Sequence, residues 1–229
     1  MAKHTEIIML VDKSGSMGRL KDDTIGGFNS FVESQKDDTK TTLTTVLFDY
    51  SCKTLHDGLD VYEVEEMTQK DYITGGGTAM LDAIGETINS VQYRHDDMGD
   101  AKPDNVLFVI TTDGEENSSK KFTKAEIERM IKHQTKGHGW EFIFLGANMD
   151  AVKEATSIGI NATRAVDYAW TSQGTDALYS TVTAAACASK CATLDSMNLK
   201  DKYDACMTDI TALSGSISAS TKQIVYGKI

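Results

Sequence analysis

The sequence predicts an α/β protein with a doubly wound, mostly parallel central sheet, one antiparallel edge strand and helices on both faces. Two unbroken apolar runs, at residues 6–11 and 105–112, are typical of strands buried in a parallel sheet, and an aspartate follows each run. Helical patterns separate the runs, and strands that alternate with helices are typical of right-handed βαβ crossovers. A third apolar run, at residues 140–145, supplies another central strand.

Local patterns predict the remaining elements. Apolar spacing and candidate N-caps predict helices at residues 20–34, 78–91, 123–135, 150–157 and 176–194. Shorter strands are expected at residues 41–49, 51–55 and 162–166. The first two of these would pair as a hairpin at the edge of the sheet, and the acidic segment 57–71 is expected to be a surface loop with a short helix.

The composition changes at about residue 170, where alanine, serine and threonine replace the large apolar residues. We therefore predict a main domain over residues 1–170 and a helix within residues 171–195 that packs on it or beside it. Residues 196–229 are polar and weakly patterned, and we expect a tail that docks on a partner or is partly disordered.

The charge and cysteine content exclude several classes of function. The chain has 34 acidic and 23 basic residues and a formal net charge of −11, so neither nucleic acid nor an anionic membrane is an expected partner. No run of about 18 apolar residues and no signal-peptide core is present in the sequence. The four cysteines lack CxxC spacing and are expected to be reduced packing residues, and the five histidines are expected at the surface. A cytoplasmic location fits reduced cysteines in a chain without a signal-peptide core.

Oxygen-bearing side chains cluster where the predicted strands end. The candidates for one metal site are Asp12, Ser14, Ser16, Thr78 and Asp113. In a doubly wound fold, ligands bind outside the carboxyl ends of the strands, and two carboxylates that meet there would repel each other unless a cation or a proton intervened. These hard donors suit Mg²⁺, with Mn²⁺ or Ca²⁺ as alternatives, and argue against zinc and copper.

Each motif also has a simpler explanation when it is taken alone. The Asp-x-Ser-x-Ser string at residues 12–16 could be an Asx-turn followed by a helix N-cap, and the Gly-Gly-Gly-Thr string at 75–78 could be a flexible loop with a capping threonine. Asp113-Gly114 is typical of a tight turn. Only the combination, with two aspartates after two separate buried strands, indicates a site.

The same residues resemble a known motif. Residues 8–17 resemble the metal-ion-dependent adhesion site (MIDAS) of von Willebrand factor type A (vWA) domains, which carry Asp-x-Ser-x-Ser after the first strand. Residues 76–84 resemble the family's threonine loop, and residues 110–115 its Thr-Asp-Gly turn. The resemblance covers roughly residues 5–168, and all five ligand positions are filled in the expected order. The chain resembles stand-alone vWA proteins of bacteria or phages, and a phage origin would imply an association with the virion.

The resemblance implies a binding module and not an enzyme. It implies that Ser14, Ser16 and Thr78 contact the metal directly, whereas Asp12 and Asp113 act mostly through water. It also implies that a Glu or Asp side chain of a partner protein completes the coordination. Glu115 and Glu116, next to this edge, are expected to form a solvated loop, with selection among acidic partners as the alternative.

Two other functions have weaker support from the residues. A magnesium-dependent phosphatase of the haloacid dehalogenase type would use Asp12 as the nucleophile, but such an enzyme needs a second aspartate two positions later, where Ser14 stands. Nucleotide binding through the glycines at 75–77 is the third hypothesis, and this loop lacks both the GxGxxG fingerprint and the Walker lysine.

Overall fold

A computed structural model describes residues 3–226, with side chains described up to residue 212. The strands are β1 (Thr5–Asp12), β2 (Thr41–Phe48), β3 (Cys52–Asp60), β4 (Asn105–Thr112), β5 (Glu141–Gly146) and β6 (Ala165–Asp167). The α-helices are α1 (Lys21–Ser34), α2 (Met80–Met98), α3 (Lys124–His138), α4 (Ala151–Ser157), α5 (Ser172–Lys190) and α6 (Leu199–Tyr226). Short 3₁₀ helices cover Gly15–Leu20, Gly99–Ala101, Ala162–Arg164 and Leu194–Ser196.

The strands form one six-stranded sheet in the order β3-β2-β1-β4-β5-β6. Only the β2–β3 pair at the edge is antiparallel, and the other neighbouring pairs are parallel. The predicted fold class is therefore confirmed. Because the chain turns to β2 on one side of β1 and later to β4 on the other, the strand order reverses beside β1, which is where doubly wound folds place their ligands.

Alternate side chains of β1 enter two separate hydrophobic cores. Ile7, Met9 and Val11 pack with α1, α5 and the start of α6 on one face of the sheet. Ile8 and Leu10 pack with α2, α3 and α4 on the other face. Every residue of β1 is buried, because helices cover both faces, and this explains the unbroken apolar run.

The strand register brings the predicted site to one edge. Asp12 is the last residue of β1 and lies opposite Phe48 of β2, whereas Val11 lies opposite Thr111 of β4. Asp113 therefore follows β4 at the level where β1 ends. The residues that follow these two strands share the carboxyl edge of the sheet, as expected for neighbouring parallel strands.

The C-terminal helices pack closely against the sheet. Gly27 of α1 lies so near Tyr179 of α5 that an added Cβ would come within 2.2 Å of the ring. The start of α6 is also anchored, because Leu199 and Tyr203 are buried and the Tyr203 hydroxyl accepts a hydrogen bond from the Ala169 amide at 2.7 Å. Most of the predicted tail forms a helix, from residue 199 to 226, and residues 227–229 lie outside the described part. The proposed division of the chain into domains stays a prediction.

The segment after β3 differs from the expectation of a surface loop with a short helix. β3 continues to Asp60, and residues 61–79 contain no helix in the structure. Val61, Met67 and Tyr72 of this segment are almost completely buried. The apolar residues have no regular spacing, so the sequence pattern did not reveal that they anchor the loop to the core.

Three histidines and two cysteines also differ from expectation. His4, His56 and His95 are buried and not at the surface, because each ring reaches a polar partner; for example, His95 Nε2 lies 2.6 Å from Glu6 Oε2. All four cysteines are free, but the pair at 187 and 191 is exposed instead of packed. Within residues 3–226, no helix is long and apolar enough to cross a membrane.

Candidate metal centre

Asp12 is completely buried at the end of β1, and its carboxylate holds the following turn in place. Its Oδ1 accepts a hydrogen bond from the Ser14 amide at 2.6 Å, which is the Asx-turn that the local sequence favours. Its Oδ2 accepts a hydrogen bond from Thr112 Oγ1 of β4, also at 2.6 Å. The ends of β1 and β4 are therefore joined through this one carboxylate.

Hydroxyl groups connect Asp12 to Asp113. The 3₁₀ helix Gly15–Leu20 begins directly after Ser14 and places Ser14 Oγ 3.2 Å from Ser16 Oγ. Ser16 Oγ in turn donates a hydrogen bond to Asp113 Oδ1 at 2.6 Å. The other oxygen, Asp113 Oδ2, is buried and has no hydrogen-bond partner.

Thr78 reaches the same place from the glycine-rich loop. A Cβ built on Gly114 would lie 3.6 Å from Thr78 Oγ1 and 3.9 Å from Ser16 Oγ, so both hydroxyls lie close to the turn that follows Asp113. The loop is tied to the first turn, because the Gly15 amide donates to the Gly76 carbonyl at 3.2 Å. The structure thus brings all five predicted residues together.

Burial of the two carboxylates has an electrostatic cost. Burial raises the pKa of Asp12 to about 6; hydrogen bonds from Thr112 and Ser14 oppose this shift, and the charge of Asp113 adds to it. Burial also raises the pKa of Asp113, against the hydrogen bond from Ser16 and the interaction with the Trp170 indole. Two neighbouring carboxylates with raised pKa values are what a bound cation would relieve.

The donor set fits a hard divalent cation. It offers carboxylate and hydroxyl oxygens, and Asp113 Oδ2 adds a buried acceptor without a hydrogen bond of normal geometry, although the Trp170 indole N–H lies near enough to lower the pKa of this carboxyl. Among the residues that the structure describes, no group of three or more His, Cys, Asp and Glu side chains could hold a metal. Any cation at this edge would therefore depend on neutral hydroxyls as well as on the two aspartates.

Two residues that no sequence pattern pointed to hold the backbone of the site in place. The Tyr72 hydroxyl, fully buried, donates a hydrogen bond to the Asp12 carbonyl. The Thr78 amide donates to Asn117 Oδ1 at 3.0 Å. Thr112, which precedes Asp113, could have been suspected from its position, whereas Tyr72 and Asn117 lie in loops that no pattern relates to Asp12.

Glu116 is not part of a solvated loop, in contrast to the expectation for this residue. Its carboxylate accepts hydrogen bonds from the Ser118 and Ser119 amides at 2.8 Å and from the Leu81 amide at 2.9 Å. It therefore joins the loop after β4 to the first turn of α2. Glu115 is exposed, as expected.

Comparison with solved structures finds the same architecture in other proteins. Proximal thread matrix protein 1 from the mussel byssus, described with zinc in its MIDAS motif, superposes with a TM-score of 0.60 at 16% identity over 81% of this chain and 48% of its own. A von Willebrand factor type A protein from Catenulispora acidiphila gives a TM-score of 0.51 at 15% identity, over 81% and 43%. The fold is that of a vWA domain.

The PilB minor pilin from Streptococcus sanguinis also matches, with a TM-score of 0.56 at 9% identity over 80% of this chain and 61% of the pilin. This chain spans about half the length of the mussel and Catenulispora proteins. No family model and no curated protein sequence matches the chain. At these identities the likeness concerns the fold, and the role of the site has to be argued from its own residues.

Proposed function

We propose that the protein is a metal-dependent protein-binding module for adhesion or assembly. In this proposal, one divalent cation is held by Asp12, Ser14, Ser16, Thr78 and Asp113, and it binds a Glu or Asp side chain of a partner protein. The observation that carries the proposal is the buried, unpartnered Asp113 Oδ2 beside the contacting hydroxyls of Ser14 and Ser16.

The chemistry of the donors explains why an acidic partner is favoured. Three of the five donors are neutral hydroxyls, so much of the charge of a divalent cation would remain unbalanced. Ser16 is exposed, which leaves the site open to solvent on one side. A carboxylate that approaches from this side would form a strong charge-assisted contact.

Mg²⁺ is the cation that we propose for the site, with Mn²⁺ and Ca²⁺ as alternatives, because each prefers oxygen ligands. The zinc described in the MIDAS motif of the mussel protein makes Zn²⁺ a necessary competitor in any test. The phosphatase alternative is not favoured, because the similar structures are vWA-type domains and Ser14 stands where the second catalytic aspartate would be needed.

Calorimetric titration of metal-free protein with Mg²⁺, Mn²⁺, Ca²⁺ and Zn²⁺ tests the cation part of the proposal. Ser14→Ala and Thr78→Ala should each weaken binding of the preferred cation by about tenfold or more, because each removes one oxygen donor. Ser157→Ala, which removes an exposed hydroxyl of α4 bonded to the Glu154 carbonyl and Lys124 Nζ, is the matched control and should bind as the parent does. Equal binding by all these proteins would contradict the proposal.

A pull-down from the native host tests the protein-binding part. Wild-type protein in Mg²⁺ should capture a partner that is lost in chelator and lost with the Asp12→Ala/Ser14→Ala double variant. Phosphatase activity on a generic aryl phosphate should be measured in parallel. Partners that remain in chelator and with the double variant would exclude a metal-bridged contact, and magnesium-dependent turnover that Asp12→Asn abolishes would favour the enzyme.

A further inference from the structure

An exposed arginine lies beside the proposed cation. Ser16 and Arg19 are three residues apart in the 3₁₀ helix Gly15–Leu20, and both are exposed. In a 3₁₀ helix, side chains at this spacing lie one above the other, about 6 Å apart along the axis. The Arg19 side chain therefore rises from the same side of this helix as the Ser16 hydroxyl that contacts Asp113.

The Arg19 guanidinium packs on the indole ring of Trp170. The guanidinium carbon lies 5.5 Å from the centre of the indole ring, within the range of a cation–π contact. Trp170 itself is half-buried against the core on the α1–α5 side of the sheet, and the neighbouring Ala169 amide is bonded to Tyr203 of α6. The ring is thus packed against the core, and the Arg19 guanidinium lies over it.

No carboxylate neutralises Arg19 within the part of the chain that has described side chains. The nearest acidic residues in sequence are engaged elsewhere: Asp22 accepts a hydrogen bond from Gln69 Nε2, and Asp23 accepts one from Ser172 Oγ, each at 2.9 Å. Among the residues with described side chains, no salt bridge includes Arg19. Its fork of N–H donors is therefore available to an incoming group.

We propose that Arg19, seated on Trp170, is a second anion-binding point of this surface, and that the partner segment is extended and carries two acidic residues separated by one residue. One carboxylate would bind the cation and the other would bind Arg19. This inference rests on the proposed function. In an extended strand, alternate side chains lie on the same side and about 6.6 Å apart, which matches the spacing of Ser16 and Arg19 along their helix.

The paired arrangement would give the site a selectivity that a cation alone lacks. A single cation accepts any exposed Asp or Glu, whereas a planar guanidinium beside it favours a second carboxylate in one register. Because the indole ring already orients the guanidinium, less side-chain freedom is lost on binding. Arg19 is thus a residue that determines specificity, separate from the five proposed to hold the cation.

Fluorescence polarisation with labelled glycine–serine peptides tests this inference. The probes carry either one glutamate, or two glutamates adjacent to each other, or two separated by one residue, and binding is measured with saturating Mg²⁺ or Mn²⁺ and again in chelator. With wild-type protein, the Glu-x-Glu peptide should bind about fivefold tighter than the single-glutamate peptide, the gain expected from one additional well-oriented but exposed ion pair.

Arg19→Gln should remove this preference, whereas the single-glutamate peptide should still bind in a metal-dependent manner. Arg129→Gln, which neutralises an exposed arginine on α3, is the matched control for net charge and should keep the preference. If wild type shows no preference for the Glu-x-Glu peptide, or if Arg19→Gln keeps the preference, the proposed role of Arg19 is wrong, whereas the proposed function remains. If wild type binds no acidic peptide in a metal-dependent manner, the proposed function fails as well.

Discussion

Asp12 combines complete burial with a pKa raised to about 6, and this makes the metal-free protein sensitive to pH. Because the folded pKa is higher than the unfolded one, the protonated group favours the folded state, and this stability is lost as the pH rises from about 4 through about 6. We expect the free energy of unfolding of metal-free protein to fall by roughly 2 kcal/mol over this range on account of Asp12. Urea unfolding in chelator at several pH values measures this change.

Asp12→Asn supplies the control for this prediction. The amide keeps the acceptor for the Ser14 amide and removes the charge, so the metal-free variant should be more stable than wild type at pH 7 and should lose the part of the pH dependence that Asp12 causes. Its affinity for Mg²⁺ should also be greatly reduced. A variant whose stability follows the same pH curve as wild type would contradict this account of Asp12.

Thr112 contributes to the site through Asp12 and through the turn after Asp113, because its hydroxyl also bonds to the carbonyl and the amide of Gly114, at 3.1 and 3.3 Å. Thr112→Val keeps the shape of the side chain but removes the donor to Asp12 Oδ2, so metal affinity should fall by about tenfold, as is typical when a group that orients a ligand is lost. Thr111→Val is the matched control, because the Thr111 hydroxyl bonds only to the Leu10 carbonyl at 3.2 Å. Calorimetric titration should separate the two variants, and equal losses would indicate a general effect on β4.

At the scale of elements, the glycine-rich loop holds Thr78 through close contacts that leave no room for a side chain at Gly77. A Cβ on Gly77 would come within 2.8 Å of Asn117 Oδ1, which accepts the Thr78 amide, and within 2.7 Å of the Tyr50 ring. Gly77→Ala should therefore displace Thr78 and weaken metal binding by about tenfold. Gly75→Ala, with nothing within 4 Å of the added atom, should bind metal normally.

The contact between α1 and α5 gives a second pair of neighbouring glycines with opposite expectations. Gly27→Ala forces the Tyr179 ring away from a contact of 2.2 Å and should destabilise the protein by about 1–3 kcal/mol. Gly26→Ala has open space around the added methyl group and should stabilise α1 by about 0.5–1 kcal/mol. Thermal unfolding of both variants, in chelator, checks the packing without involvement of the metal site.

At the scale of the whole molecule, the sheet and the grouping of the five candidate residues could be predicted because they depend on chain order. Apolar runs that end at Asp12 and Asp113 define two parallel strands, and parallel strands bring their carboxyl ends to one edge. The start of the helix predicted from residue 123 was likewise confirmed, because the capping box of Thr123 and Glu126 depends only on residues three positions apart.

What the sequence did not reveal depends on contacts between distant segments. Tyr72 lies in an irregular loop, yet its hydroxyl bonds to the Asp12 carbonyl. Arg19 and Trp170 are far apart in sequence and meet only because α5 packs on α1 beside the first turn. The helix over residues 199–226 was missed because its polar composition resembles that of a tail, although Tyr203 anchors its first turn in the core.

The most direct test of the central claim is a crystal structure of the protein soaked with Mn²⁺, examined for anomalous scattering. The account predicts one strong anomalous peak at the carboxyl edge of the sheet, among the hydroxyls of Ser14, Ser16 and Thr78 and beside Asp12 and Asp113. A Mn²⁺ peak at another place, or a well-ordered site without a peak at saturating Mn²⁺, would contradict it.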